Sequence, residues 1–225
     1  MRRIRGWPAI LSESGLLAMP VMLRPVGISD ARTWRDMREA NESWFSRWEP
    51  TNPDGPASPG TPLSGPRARP RLSLARRTAL WGLAWMIRSR WQSGHGGAIL
   101  WAVCYGGQVA GQVRLFSIEW GSGRSAKAGY WIDENFAGLG IIPTALAMVV
   151  DHGFSAMGLH RIEASIRPDN KASRRVVEKL GFREEGLRPR EVHIDGAWRD
   201  HICYAITVED VPDGMLSRWR HSLAR

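Results

Sequence analysis

Residues 7–12 and 16–26 alternate loosely between apolar and polar positions around Glu13-Ser14-Gly15, which predicts an opening hairpin. From about residue 30 the spacing becomes helical. Trp34, Met37, Trp44 and Trp48 fall on or near one face of a segment running to about 47, with Ser29 or Asp30 as its cap. A second helix is expected from about 73 to 93, ending near Gly94. Alternation returns in Ala98–Tyr105 and Gln108–Trp120, joined by Gly106-Gly107 as a β-hairpin, and Ser125–Asp133 reads as a further strand. The stretch from about 140 to 157 is apolar nearly all round, so it predicts a helix buried against a sheet. A strand at Arg161–Arg167, a helix at 170–180 and strands near 190–195 and 198–207, joined by Asp195-Gly196, follow.

Between the first two helical stretches, residues 52–70 form the most proline-dense part of the chain, the composition of a linker or surface flap. No internal repeat is present. A length of 225 residues, 43% apolar and 24% charged, describes one ordinary globular domain with a sizeable core. Of the 12 tryptophans, Trp34, Trp44, Trp48, Trp81, Trp85 and Trp91 fall in the two N-terminal helical stretches, where core packing accounts for most of them.

The formal charge of +9 raises the question of a nucleic-acid partner. The arginines are scattered, several at residues 2–5 and 67–77, and no nucleic-acid motif or long basic run with interleaved aromatics accompanies them. Cys104 and Cys203 lie in separate apolar strands, as buried thiols of a reducing cytoplasm would. The histidines at 95, 152, 160, 193, 201 and 221 show no metal-ligand spacing, and His152 and His160 read as structural residues flanking a helix end. Arg2-Arg3 followed by apolar residues imitates a signal peptide, but Pro8, Glu13 and Gly15 interrupt the run. No stretch approaches the ~20 apolar residues that span a bilayer.

Two segments carry chemistry. Tyr130-Trp131-Ile132-Asp133-Glu134-Asn135-Phe136-Ala137-Gly138-Leu139-Gly140-Ile141 reads as strand, glycine turn and helix start. Its glycines let backbone approach a ligand closely, and the first turn of the helix presents unpaired N–H groups suited to phosphate. Alone, a Gly-x-Gly before a helix is commonly plain turn chemistry. The second segment runs from Arg161 to Phe182. Its strand ends at Pro168, Asn170 is a good N-cap, and Ala172, Val176, Val177 and Leu180 recur at helical spacing before Gly181. Such units bring two loops together at the carboxyl ends of neighbouring strands, where ligands sit in open sheets.

Together these segments resemble the GNAT superfamily of acyl-CoA-dependent N-acetyltransferases. Asn135-Phe136-Ala137-Gly138-Leu139-Gly140 occupies the place of the family's Arg/Gln-x-x-Gly-x-Gly/Ala loop, with Asn135 replacing the usual first residue. Asn170-x-x-Ser173 and Glu178-Lys179-Leu180-Gly181-Phe182 are similar to the RimJ/RimL-type ribosomal-protein-alanine acetyltransferases. So are Trp48-Glu49-Pro50, Gly129-Tyr130-Trp131 and the segment His193–His201. The resemblance implies an α/β fold with a mixed, mostly antiparallel sheet and helices on both faces. It places the domain at 23–208, with an insertion at 52–72 that departs from the family, an extension at 1–22 and a helical tail at 209–225.

The resemblance also implies acetyl-CoA as cofactor and a protein N-terminus, in a ribosomal protein, as acceptor, in the cytoplasm. Trp131, Ile132, Asp133 and Asn135, then Phe136, Ala137, Gly138, Leu139, Gly140 and Ile141, would hold the cofactor, with Asn170 and Ser173. Many relatives carry a Tyr proton donor where this chain has Val177, which leaves Ser173 to protonate the thiolate; Ser173 reads equally as a residue bonding its own helix turn. For the base, alternation puts Glu163 on one strand face with Ser165 and Arg167, and Glu163 is the first candidate. Glu119 and Glu49 follow, and water could carry the proton instead. Trp48, Trp120, Tyr130 and Trp198 would wall the acceptor pocket, with Glu49 beside them. A small-molecule amine or a protein lysine stays open as acceptor, as do an oligomer and a non-catalytic CoA-fold module acting at the ribosome through its basic surface.

Overall fold

The computed structural model describes residues 4–53 and 97–224. The helix expected over 73–93 and nearly all of the 52–72 insertion lie outside the described residues. The chain opens with strands β1 (Leu11–Glu13) and β2 (Val21–Pro25), which pair antiparallel as the opening hairpin. Helices α1 (Ala31–Ala40) and α2 (Glu42–Phe45) follow. Next come strands β3 (Ala98–Tyr105), β4 (Gln108–Glu119) and β5 (Ser125–Ile132), helix α3 (Ile141–His152), strand β6 (Arg161–Ile166) and helix α4 (Lys171–Lys179). Strands β7 (Arg183–Ile194) and β8 (Ala197–Thr207) and helix α5 (Met215–Leu223) complete the described order.

The described strands form one sheet in the order β1-β2-β3-β4-β5-β6-β8-β7, antiparallel except for the β5–β6 pair. Period-two alternation divides the residues of β3 between two cores. Ile99, Trp101 and Val103 join the large cluster with α3, while Ala98, Leu100 and Ala102 pack with Val26 and Trp34 on the α1 side. All of Ile141 to Val150 in α3 is buried, as its unbroken apolar sequence requires.

Three sequence expectations change. The helix expected from 30 to 47 breaks at Asn41, whose buried side chain is recruited by the sheet. Its amide donates to the Met37 carbonyl (2.9 Å) and to Asp133 (3.1 Å), and its Oδ1 accepts from the Glu134 N–H (2.9 Å). The helix expected to run to 157 stays α-helical only to His152, and a π-turn at Gly153–Met157 follows. The strand expected near 190–195 begins at Arg183. As the outermost strand it is exposed over most of its length, so Glu184, Glu185 and Arg188 leave no apolar alternation to read, and Pro189 is tolerated where no ladder bond is needed.

Both ends of the chain pack into the domain. Trp7 meets Trp101 edge-on at 4.9 Å, and the Trp101 indole donates to the Ala9 carbonyl. Asp151 at the end of α3 accepts the N–H groups of Met215 (2.6 Å) and Leu216 (3.0 Å), which caps α5 from outside. The Trp219 indole donates to Thr144 of α3 at 2.9 Å. Cys104 and Cys203 are buried free thiols. Among the described residues no helix is long and apolar enough to cross a membrane, and no His/Cys/Asp/Glu group is arranged to hold a metal.

Candidate active site

The site begins where β5 and β6 part. They pair in parallel only at Ser125–Arg161, Ala126–Ile162 and Lys127–Glu163; beyond these β5 stays with β4 while β6 follows β8. The β6-facing backbone of Ala128 to Ile132 is left without a strand partner. Tyr130 props the gap open, its hydroxyl donating across it to the Ser173 carbonyl at 3.1 Å; burial pushes the Tyr130 phenol above its ordinary pKa.

At the end of β5 the buried Asp133 accepts the Asn135 N–H and side-chain amide, both at 2.9 Å, and starts a short 3₁₀ turn over Glu134–Phe136. Gly138 (φ +81°) and Gly140 (φ +79°) then take left-handed conformations and turn the chain into α3. A Cβ on Gly138 would meet nothing within 4 Å, so that side of the loop is open. No side chain caps α3, and its first N–H groups point out of the helix with no acceptor four residues back. Pro143 lies in that first turn, where its missing N–H is harmless.

Asn170 caps α4 by accepting the Ser173 N–H at 3.1 Å, and both residues face the same groove as the glycine loop. Val177 is fully buried, as an apolar residue there should be. Lys171, Arg175 and Lys179 follow one another at i, i+4 and i+8 along the same wall and give it a positive rim. Their i, i+4, i+8 spacing is the signal in the sequence that marks them.

On the other side stand Phe45, Arg47, Trp48 and Glu49. Trp131 forms the floor, held edge-on by Trp34 (4.6 Å) and Phe45 (4.9 Å), with its indole donating to Gln112. The Glu49 side chain is only 12% exposed and is ion-paired with Arg38. Burial raises its pKa above the ordinary carboxylate value, against the pull of Arg38 and Arg114. Burial also pulls the Arg114 guanidinium, which lies over the Phe116 ring, down to about 10.

The groove has a volume of about 930 Å³. It gathers Trp48, Glu49, Tyr130, Trp131, Ile132, Phe136, Ala137, Gly138, Leu139, Gly140, Ile141, Asn170 and Ser173 from the sequence candidates. It does not gather the others. Asp133 and Asn135 bond to each other and shape the loop from behind. Glu163 lies away from the groove between Arg161 (2.8 Å) and Arg188 (3.7 Å). Glu119 sits at the far end of β4 opposite Ser125. Trp120 and Trp198 are about half exposed on the surface, Trp198 edge-on to His193.

An open glycine loop, a free helix N-terminus, a strand edge without a partner and a basic rim suit a long ligand with phosphates at one end and amides along its arm. The model of the acetyltransferase (GNAT) domain matches residues 21–183, and the chain belongs to that family, whose members use acetyl-CoA.

The chain is 34% identical to RimJ of Mycobacterium smegmatis, solved in complex with CoA-disulfide, with a TM-score of 0.80 over 95% of this chain and 94% of that one. It is 43% identical over 103 residues to the probable N-acetyltransferase YjcK of Bacillus subtilis. It is 32% identical over 107 residues to the ribosomal protein uS5-alanine N-acetyltransferase of Escherichia coli. Those stretches cover 46% and 48% of this chain and 57% and 55% of the relatives, so the match spans little more than half of either curated protein.

Proposed function

We propose that this chain is an acetyl-CoA-dependent N-acetyltransferase that acetylates the α-amine at a protein N-terminus, with a ribosomal protein in the cytoplasm as acceptor class. The observation that carries the reading is one continuous groove. It runs from the open Gly138–Gly140 loop along the unpartnered edge of β5 to a buried carboxylate, Glu49. The name of the E. coli relative supports the acceptor class.

When bound, acetyl-CoA supplies an activated acetyl thioester. Gly138, Gly140 and the first turn of α3 would hold its phosphates, with Lys171, Arg175 and Lys179 adding charge attraction. The backbone of Ala128 to Ile132 would pair with its amides as an added strand does, and its N–H groups are the donors available for charge on the reacting oxygen. Glu49, held in low dielectric with a raised pKa, would take the proton from the acceptor's ammonium so that the neutral amine attacks; an α-amine near ~8 is easier to deprotonate than a lysine near ~10.4. Ser173, beside Asn170 at the start of α4, would hydrogen-bond the sulfur and relay to it a proton replaced from solvent.

Calorimetric titration with acetyl-CoA tests the first half of the reading. Turnover on peptides beginning with Ala or Ser, on N-terminally blocked lysine peptides and on polyamines tests the second. Binding with acetylation confined to the free N-terminal peptides supports the proposal. Acetylation of lysine peptides or polyamines alone would move the acceptor class, and no binding of acetyl-CoA would end the reading.

A further inference from the structure

Arg167, one residue past the end of β6, joins the two walls of the groove. On the α4 side its guanidinium forms a two-point ion pair with Asp169 (Nε 3.0 Å, Nη2 2.6 Å), and Asp169 precedes Asn170, the cap of α4. On the other side its Nη1 donates to the Arg47 carbonyl at 3.0 Å, and its Cζ stands 5.3 Å from the centre of the Trp48 ring. Asp169, Asn170, Arg47 and Trp48 all line the groove, and Glu49 follows Trp48 directly. A single side chain therefore spans from the turn that carries Asn170 and Ser173 to the loop that carries the carboxylate. The chemistry suits arginine: a planar fork engages the carboxylate in the plane and the indole face above it.

We infer that Arg167 is a positioning residue that ties the Arg47–Glu49 loop to the Asp169–Ser173 turn, so that filling the cofactor end of the groove also fixes Glu49. The inference rests on the cofactor reading of the groove. Ligand contact orders the 169–173 turn, Asp169 then holds the guanidinium at two points, and the guanidinium restrains Arg47 and Trp48.

Hydrogen exchange with and without CoA, which supports no turnover, tests it in the full chain. The expected result for the natural sequence is slower exchange at 138–142, 170–173 and 45–49. In Arg167→Gln the first two segments keep their protection and 45–49 loses it, while Arg167→Lys, which keeps a cation over Trp48, retains part. In turnover, Arg167→Gln should lower kcat for the peptide about tenfold with the acetyl-CoA KM within about twofold, the scale of one stacked cation and one hydrogen bond.

No protection at 138–142 removes the cofactor reading, and this inference with it. Protection at 138–142 without protection at 45–49, or protection of 45–49 that survives Arg167→Gln, overturns the inference alone. Should Arg167→Gln fail to fold, Trp48→Leu removes the stacked ring and is held to the same outcomes.

Discussion

Glu49→Gln separates the chemistry assigned to Glu49 from its part in the fold. The amide keeps the volume and the hydrogen-bonding oxygen of the carboxylate but cannot take a proton. Loss of a positioned base is worth about 10²–10⁴ in rate, so kcat for an Ala-starting peptide should fall within that range. The acetyl-CoA Kd should stay within about twofold, because the residues proposed to hold the cofactor, the glycine loop and α4, make no ion pair or hydrogen bond with Glu49 among the described contacts.

Stability should change with pH in a defined direction. Burial disfavours the charged Glu49, so its pKa is higher folded than unfolded. Between the unfolded value of ~4.3 and the folded one, the folded state holds the extra proton, and its stability declines as pH rises through that window. The amide removes this decline; against it stands the lost ion pair to the largely buried Arg38, where stranding one partner of a buried pair costs about 3 kcal/mol or more. Melting curves from pH 4 to 8 read the balance, and kcat against pH reads the chemistry. The natural sequence should show an acidic limb above the ordinary carboxylate range, absent from the residual rate of Glu49→Gln. A variant with the natural rate and the same limb would refute Glu49 as the base.

Gly138→Ala and Gly140→Ala each force a left-handed backbone on a residue with a Cβ, about 1–2 kcal/mol in either case. The Gly140 Cβ also stands 3.2 Å from Leu17, so thermal melting should show the larger loss there, whereas the loss of acetyl-CoA affinity at Gly138 should exceed its loss of stability. Equal affinity in folded Gly138→Ala would take the loop out of the site. Ser173→Ala should lower kcat more than acetyl-CoA affinity, since the cap bond uses the Ser173 N–H and survives the change; a natural rate would hand the sulfur's proton to solvent. Asp151→Ala strips the cap from α5 and should cost about 1–2 kcal/mol, a fall of ~2–8 °C in Tm, with acetyl-CoA binding retained.

What was legible in the sequence followed from local physics. The all-apolar run of α3 and the alternation of β3 and β4 each have one stable burial solution, and the structure adopts it. Tertiary partners decided the rest. Nothing in Trp34, Met37, Trp44 and Trp48 marks a break at Asn41, because its cause is Asp133, 92 residues away. Residues 183–189 of β7 lack a pattern because an exposed edge strand needs none, and only the ladder to β8 makes it a strand.

The site divides along the same line. Gly138, Gly140, Asn170 and Ser173 could be read directly, since each is tied to its own turn or cap by backbone geometry. The proposed base could not, because a carboxylate is selected by what surrounds it in space. Alternation correctly put Glu163 and Ser165 on one face of β6, but that stretch of the face is laced with charge. Arg161 and Arg188 hold Glu163, and Lys127 and Arg188 hold Glu191 nearby. Glu49 looked no different in the sequence. It differs because its side chain is largely buried, ion-paired with Arg38, in a groove that is also lined by the glycine loop. Burial that raises a carboxylate's pKa costs stability at neutral pH, and a group so perturbed beside an open groove is a candidate for proton transfer. Its place in the groove, together with that cost, is the physical ground for proposing Glu49 as the base.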